Sequence, residues 1–211
     1  MIYFIGGAPR TGKSQLAKRL SKITGLSWLS TDNLRESVEG LEIIPRDNPL
    51  LRYWINWKKD NYLQETFSKP VEEMIEKQNI ESKEVSKLVR SFVESINYNN
   101  RDFILEGVAL LPRFYDQEFL NKFKVKFVCV GNTDYESFVK KSWEIRSEGD
   151  WLKDAERDVF NNTIKYCSKY GEIFKKEASD RSISYFEICS DSFELDIEKI
   201  SKELVSQISS T

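Results

Sequence analysis

The chain has 211 residues, of which 40% are hydrophobic, 13% aromatic and 31% charged, a composition ordinary for a globular protein. Its length suits one α/β domain with insertions and is short for two independent cores. The formal net charge of -2, from 32 basic and 34 acidic residues, argues against a dedicated nucleic-acid binder, because such proteins are usually clearly basic. The histidine count of 0 excludes Ser-His-Asp hydrolases, His-ligated zinc enzymes and any histidine general base.

The cysteines and the apolar segments indicate where the protein works. Cys129, Cys167 and Cys189 are far apart and form no CxxC pair. Cys129 lies in an apolar run and Cys189 ends another, so we expect buried, reduced thiols, which fits the cytoplasm. No segment approaches the roughly 18 apolar residues of a membrane span. The first residues lack the basic region of a signal peptide, and we expect them to form a strand.

Apolar runs and helical periodicities alternate along the chain. The runs predict β-strands at residues 2–5, 27–30, 103–105, 125–130 and 183–188. Apolar residues at helical spacing follow Lys13 as far as Gly25, and similar stripes occupy residues 85–96 and 197–208. Strand–helix alternation of this kind predicts an α/β fold with a doubly wound parallel sheet.

Two of the connections are longer than a crossover requires. One predicts a helical insertion at about residues 45–98, and the other is a charged helical stretch at residues 133–180. Because no repeat or linker is visible, we expect one domain over residues 1–211 with these segments as caps. The insertion carries aromatic side chains that form either the inner face of the cap, which is favoured, or a stacking surface for a ligand: Tyr53, Trp54, Trp57 and Tyr62.

A phosphate-binding motif lies between the first strand and the first helix. Residues 7–14 match the pattern G-x-x-x-x-G-K-[ST], in the strand–loop–helix context that this motif requires. The loop amides and the N-terminus of the helix would hold phosphate oxygens. The residues expected to bind the nucleotide are Gly7, Ala8, Pro9, Arg10, Thr11, Gly12, Lys13, Ser14 and Gln15.

Three side chains of this motif have individual interpretations. Lys13 would reach the β- and γ-phosphates of ATP, and the Ser14 hydroxyl would ligate Mg²⁺. Arg10 either lies over the phosphates or points to solvent.

Charged residues at the ends of the second and third strands predict an acceptor side. Asp32 is either the base that accepts the proton of an attacking hydroxyl or a helix N-cap, and Arg35 either holds the acceptor or lies at the surface. Glu106 either helps to place Mg²⁺ or caps the next helix. Arg113 is assigned with equal weight to the acceptor crevice or to the surface.

Three segments in this order, GGAPRTGKS, LSTDNLRESV and FILEGVALLP, resemble the P-loop kinase superfamily of small-molecule and nucleotide kinases. The likeness is greatest to 2-phosphoglycerate-kinase-like proteins and looser to adenylate kinase. It implies a three-layer fold with a five-stranded parallel sheet in the order 2-3-1-4-5. It also implies a lid at about residues 132–160 and an adenine site at residues 190–193. The sequence departs from related ones at Ala109, where they often carry a histidine.

The lid that this resemblance implies contains several cations that an ATP γ-phosphate would attract. Arg146 is the first choice for stabilising the charge of the transferred phosphoryl group, although each of these residues can equally belong to a solvated helix face. The five are Lys140, Lys141, Arg146, Lys153 and Arg157.

The sequence thus predicts an ATP- and Mg²⁺-dependent kinase that acts on a small hydroxyl- or phosphate-bearing acceptor. Within the same class, the alternatives are a nucleoside monophosphate kinase and an antibiotic or nucleotide-sugar phosphotransferase. In another class, the alternative is a nucleotide-controlled binding protein with little turnover. A nucleic-acid end kinase ranks below these because the charge balance is acidic. The sequence leaves the oligomeric state open.

Overall fold

The strands of the protein form one parallel sheet. A computed structural model describes residues 1–39 and 62–206, and all structural statements concern these residues. The sheet has the order β2-β3-β1-β4-β5, and every neighbouring pair of strands is parallel. The predicted sheet type and strand order are therefore confirmed. The strands are β1 (Ile2–Gly7), β2 (Ser27–Ser30), β3 (Phe103–Gly107), β4 (Val125–Gly131) and β5 (Ser184–Glu187).

Helices cover both faces of the sheet. They are α1 (Lys13–Thr24), α2 (Thr31–Glu39), α3 (Tyr62–Phe67), α4 (Val71–Tyr98), α5 (Gln117–Lys122), α6 (Tyr135–Glu144), α7 (Arg157–Asp180) and α8 (Phe193–Ser206). A short 3₁₀ helix (Pro112–Phe114) follows β3. Of the predicted aromatic group in the insertion, Tyr53, Trp54 and Trp57 lie outside the described residues.

The central strand divides the core into two clusters. Along β1, Ile2 and Phe4 belong to one cluster, while Tyr3 and Ile5 belong to the other. Side chains of successive strand residues point to opposite faces, so this alternation places one apolar layer on each side of the sheet. Helices α1 and α8 cover the Tyr3 side, and helices α4 and α7 cover the Phe4 side. The result is the three-layer arrangement that the sequence predicts.

The strand ends meet where the chain carries its polar motifs. Ile5 of β1 lies beside Glu106 of β3, and Ser30 of β2 lies on the other side of Glu106. The carboxyl ends of parallel strands lie at the same edge of a sheet, which is where ligands bind in open α/β folds. The phosphate loop, the start of α2 and the end of β3 are thereby brought together.

Candidate active site

The phosphate loop has the backbone geometry that its motif predicts. Gly12 adopts a left-handed conformation with φ 85° and precedes α1, whose Leu16 N–H donates to the Gly12 carbonyl at 2.9 Å. A β-carbon on Gly12 would lie 2.9 Å from the ring of Phe193, so both conformation and space require glycine here. The first amides of α1 have no carbonyl partner within the helix. They form a site suited to an anion.

Lys13 is buried and held inside this loop. Its ammonium donates to the Ala8 carbonyl at 2.6 Å, and the Thr11 hydroxyl donates to the same carbonyl at 2.7 Å. Burial lowers the pKa of Lys13, and the nearby carboxylates of Glu106 and Asp32 oppose that shift. A phosphate oxygen is a stronger partner for a buried ammonium than a neutral carbonyl. The arrangement therefore suits an exchange of Ala8 for a phosphate ligand.

Ser14 and Glu106 form a pair of oxygen donors beside Lys13. The Ser14 hydroxyl donates to Oε1 of Glu106 at 3.0 Å, and burial raises the pKa of Glu106 against the opposing charge of Lys13. An all-oxygen donor set suits Mg²⁺. No cluster of three or more histidine, cysteine or acidic residues occurs in the described part of the chain. The Ser14 and Glu106 oxygens fit a Mg²⁺ ion, for which phosphate oxygens and water would supply the remaining ligands.

Asp32 lies in the first turn of α2 and does not serve as the side-chain cap. The Asp32 N–H donates to the Ser30 hydroxyl at 3.2 Å, so Ser30 satisfies this helix end. The Asp32 side chain is 54% exposed and lies 3.7 Å from Nη1 of Arg35. It faces the larger cavity described below. Its carboxylate is thus accessible to a ligand in that cavity.

Arg35 is buried and joins α2 to α4. Its Nη1 donates to Oε1 of Glu81 at 2.5 Å, and burial raises the pKa of Glu81 although Arg35 lowers it. Gln78 donates to Glu81 at 3.4 Å and accepts from the Tyr166 hydroxyl at 3.3 Å. No sequence motif predicts a role for Glu81, Gln78 or Tyr166. The available signal was polar residues on the buried face of α4, in line with Val85.

A cavity of about 290 Å³ lies on one side of the phosphate loop. Residues 10–15 line it together with side chains of α6 and of the segment after β5, where the resemblance implies an adenine site. Asn132 donates to the Ser190 hydroxyl at 2.9 Å and so joins the ends of β4 and β5 beside this cavity. Lys141 is the predicted lid cation that lines it. Gly7 and Ala8 line neither of the two cavities.

A second cavity, of about 910 Å³, lies on the other side of the same loop. Its walls are formed by the start of α2, the buried face of α4 and the end of β3. Glu106 lines it together with residues of the phosphate loop. Aromatic side chains from three separate segments complete it: Tyr62, Phe67, Trp151 and Tyr166. Arg10, Lys13 and Ser14 line both cavities, so these three side chains mark the boundary between them.

Two predicted arginines lie away from both cavities. The Arg146 guanidinium lies 3.4 Å from the ring centroid of Trp143 and donates to the Lys153 carbonyl at 3.2 Å. Arg113 donates through Nε to Glu177 at 2.6 Å. Neither residue lines either of these two cavities, and each guanidinium is engaged by neighbouring groups. The structure therefore places Arg146 in aromatic contacts with Trp143 and with Phe160, over which Arg10 also lies, and places Arg113 in an ion pair with α7.

Arg10 does not point to solvent, because its side chain is only 12% exposed and lines both cavities. It donates to Asp150 through both Nη atoms, at 2.5 and 2.9 Å, and is neither solvated nor without a partner.

The cysteines match the sequence analysis only in part. Cys129 and Cys167 are buried, and burial raises the pKa of Cys167 to about 12. Cys189 is exposed, so the expectation of a buried thiol is wrong there. It follows β5, which is an edge strand of the sheet in the described part of the chain.

The sheet order β2-β3-β1-β4-β5, with a phosphate loop between β1 and α1 and helices on both faces, defines the fold of the P-loop kinases. The sequence resemblance to that superfamily is confirmed at the level of the fold. None of the described helices combines the length and the apolar character that crossing a bilayer requires.

No protein-family model and no curated protein matches the chain. Among solved structures, an uncharacterised protein from Eubacterium ventriosum ATCC 27560 is similar with a TM-score of 0.53 and 13% identity, over 100% of this chain and 99% of that one. Shikimate kinase from Aquifex aeolicus vf5 has a TM-score of 0.47 and 17% identity, over 99% of this chain and 96% of that one. Deoxyadenosine kinase from M. mycoides with bound dATP has a TM-score of 0.46 and 16% identity, over 97% of this chain and 99% of that one. At 13% identity the first likeness concerns the fold alone.

Proposed function

We propose that this protein is a Mg²⁺-dependent kinase that transfers the γ-phosphoryl group of ATP to a hydroxyl of a small molecule. The observation that carries the proposal is the shared boundary: Arg10, Lys13 and Ser14 line both cavities. ATP would occupy the smaller cavity with its phosphates on the loop, and the acceptor would occupy the larger one. A group that must pass from one ligand to the other would then lie at this boundary.

Asp32 is the proposed base. The acceptor oxygen forms a bond to Pγ while the bond from Pγ to the bridging oxygen breaks, ADP leaves with that electron pair, and Asp32 takes the hydroxyl proton. Lys13 balances the charge that develops on the phosphoryl oxygens. Ser14 and Glu106 would hold Mg²⁺, which when bound neutralises phosphate charge and aligns the phosphates. No histidine is needed, because positioning and electrostatics supply most of the catalysis.

The charges of the larger cavity support an uncharged acceptor over a phosphate-bearing one. Among the described residues that line it, Arg35 pairs with Glu81 and Lys77 lies 3.1 Å from Glu73. Asp32, Glu36 and Glu106 line the same cavity. Arg10 and Lys13 line it as well, so four cations and four carboxylates face the cavity among the described residues, and a phosphate dianion would find no surplus of positive charge there. The aromatic wall would instead contact an apolar ring or chain of the acceptor.

The direct test is acceptor-stimulated release of ADP with Mg²⁺ and ATP. The panel pairs neutral alcohols with their phosphate esters and includes nucleosides with their monophosphates. We expect the neutral member of a pair to be the better acceptor. Faster turnover of a monophosphate would favour the nucleoside monophosphate kinase alternative instead.

Asp32→Asn tests the base. This variant should bind ATP with wild-type affinity and lose transfer by about 100-fold or more, because general base catalysis contributes on that order. The matched control is Asp158→Asn, which changes an exposed first-turn aspartate of α7 outside both cavities. Transfer at the wild-type rate in Asp32→Asn would remove the base assignment. ATP binding without stimulated release by any acceptor would favour the nucleotide-controlled binding protein.

A further inference from the structure

A bidentate ion pair connects the phosphate loop to the segment between α6 and α7. Nη1 and Nη2 of Arg10 donate to Oδ1 and Oδ2 of Asp150 at 2.5 and 2.9 Å. The two side chains are 12% and 10% exposed, and they lie 140 positions apart in the sequence. A planar guanidinium held through two parallel bonds to a carboxylate has a fixed orientation. The pair therefore sets where Arg10 presents its other N–H groups.

The backbone of Arg10 is also constrained. Arg10 has φ 63°, in the left-handed region that a residue with a β-carbon enters at a cost of about 1–3 kcal/mol. Such conformations persist where the surroundings hold them, and they concentrate at functional sites. The contact with Asp150 is one of the interactions that holds this residue in place.

Asp150 is fixed by contacts of its own. Its Oδ1 accepts from the Leu152 N–H at 2.9 Å, and its own N–H donates to the Ser147 carbonyl at 2.9 Å. Leu152 is completely buried and anchors the segment in the core. The carboxylate is thus a rigid support and not a mobile surface group.

Arg10 retains donors that this support does not use. A guanidinium has five N–H donors, of which the two bonds to Asp150 engage two. The Nε of Arg10 is buried and has no hydrogen-bond partner among the described residues. A buried donor without a partner costs about 1–3 kcal/mol, so its presence calls for a ligand or another function. The same side chain lines both cavities, at the boundary that Lys13 and Ser14 share.

We propose that Arg10 contacts the γ-phosphoryl group of ATP and that Asp150 is the positioning residue that holds Arg10 at the boundary between the cavities. The inference rests on the proposed function and assigns to the phosphate loop the role that the sequence analysis gives to Arg146. Arg10 stabilises the negative charge of the γ-phosphoryl oxygens while Pγ passes from the bridging oxygen of ATP to the acceptor oxygen. Asp150 takes no part in bond making or breaking.

The first experiment measures binding and needs no acceptor. Dissociation constants for ADP and for a non-hydrolysable ATP analogue, both with Mg²⁺, are compared by calorimetry in wild type, Arg10→Gln, Arg10→Lys and Asp150→Asn. Arg10→Gln should raise the dissociation constant of the analogue by about tenfold, as expected for loss of a charge-assisted hydrogen bond. The dissociation constant of ADP should stay within about threefold of wild type. Arg10→Lys, which keeps the charge, should lie between wild type and Arg10→Gln. Equal weakening of ADP and analogue, or no weakening of either, overturns the γ-phosphoryl contact.

The second experiment measures transfer. Arg10→Gln should lower kcat by about 1,000-fold, in the range of arginines that stabilise this reaction. Asp150→Asn should lower kcat by about 10- to 100-fold with the acceptor KM unchanged, because it misplaces Arg10 without touching the acceptor. The matched control is Glu148→Gln, which removes an exposed carboxylate of the same segment and should stay within about twofold of wild type.

A double variant separates positioning from a structural role. If Asp150 acts through Arg10, Arg10→Gln with Asp150→Asn should be no slower than Arg10→Gln alone. If the losses of the two single variants multiply in the double variant, Asp150 does not act through Arg10. If Arg146→Gln loses transfer while Arg10→Gln keeps it, the roles of Arg10 and Asp150 are both overturned. Absence of transfer in wild type would remove the proposed kinase, whereas selective loss of analogue binding in Arg10→Gln would still support the γ-phosphoryl contact.

Discussion

Removing the charge of Glu81 tests how strongly α4 holds α2, and with it Asp32, in place. In Glu81→Gln, Arg35 loses the partner that lies 2.5 Å away in the interior. Loss of one member of a buried pair costs about 3–5 kcal/mol. Arg35 keeps weaker contacts to Asp32 at 3.7 Å and to Glu36 at 3.8 Å, whose half-exposed carboxylates contribute about 0–1 kcal/mol each. We therefore expect a loss at the lower end, about 3 kcal/mol of unfolding free energy.

The assay is urea denaturation followed by far-ultraviolet circular dichroism. Glu73→Gln is the matched control, because it removes an exposed partner of Lys77 on the same helix and should cost about 0.5 kcal/mol or less. Replacing Arg35 and Glu81 together by methionine should return stability to within about 1 kcal/mol of wild type, since burial opposes both charges. A loss below about 1 kcal/mol in Glu81→Gln would refute the reasoning, because it would mean that the other contacts of Arg35 compensate its charge without Glu81.

Three further outcomes are expected. Gly107→Ala should lower the free energy of unfolding by about 2 kcal/mol or more in the same assay, because its β-carbon would overlap the Thr31 side chain; a loss below about 1 kcal/mol contradicts this packing. Burial raises the pKa of Asp150, but the hydrogen bonds from Arg10 and the Leu152 N–H and the charge of Arg146 outweigh burial and hold this pKa below its usual range, so the carboxylate stabilises the fold at neutral pH and less in acid. The stability difference between wild type and Asp150→Asn should accordingly be constant from about pH 5 to 8 and shrink in acid, and growth of the difference in acid would contradict the sign. Cys189 alone of the three thiols should react with a thiol-titrating reagent in the native protein, and all three after unfolding; slow reaction of Cys189 would contradict its exposure.

The sheet was predictable because its signals are local. Each predicted strand corresponds to an observed one, and the bounds differ by at most two residues at either end. β1 and β3 extend into the glycines that follow their apolar runs, because the parallel register pairs Gly6 with Gly107. β5 is shorter than its apolar run, since it pairs with β4 alone.

The helical insertion predicted at about residues 45–98 contains α4, but its apolar stripe covers only the second half of this helix. The stripe from Val85 to Ile96 is apolar, whereas the helix begins at Val71. On the same buried face, Gln78 and Glu81 replace apolar residues where the helix lines the larger cavity. Polar residues that line a cavity interrupt the helical spacing of apolar residues. The periodicity that predicts the helix is therefore weaker where the helix lines the candidate site.

The two halves of the site differ in how their side chains are placed, and this explains which half the sequence reveals. Lys13 and Ala8 are five residues apart, so a local motif fixes their contact. Glu106 is 92 positions from Ser14 in the sequence, but it lies near the end of β3 beside β1. The strand order brings such residues to one edge of the sheet, where the two side chains meet.

No comparable rule exists for the pairs Arg35–Glu81 and Arg10–Asp150, because they join helices and loops whose relative rotation depends on all of their packing. A sequence therefore defines the nucleotide side of this fold by motif and strand order. The acceptor side depends on long-range ion pairs, which decide whether an arginine in the cavity is available to an anion or is already neutralised. Charge compensation at Arg35 is thus a property that the proposed acceptor would have to match, and it follows from the three-dimensional arrangement alone.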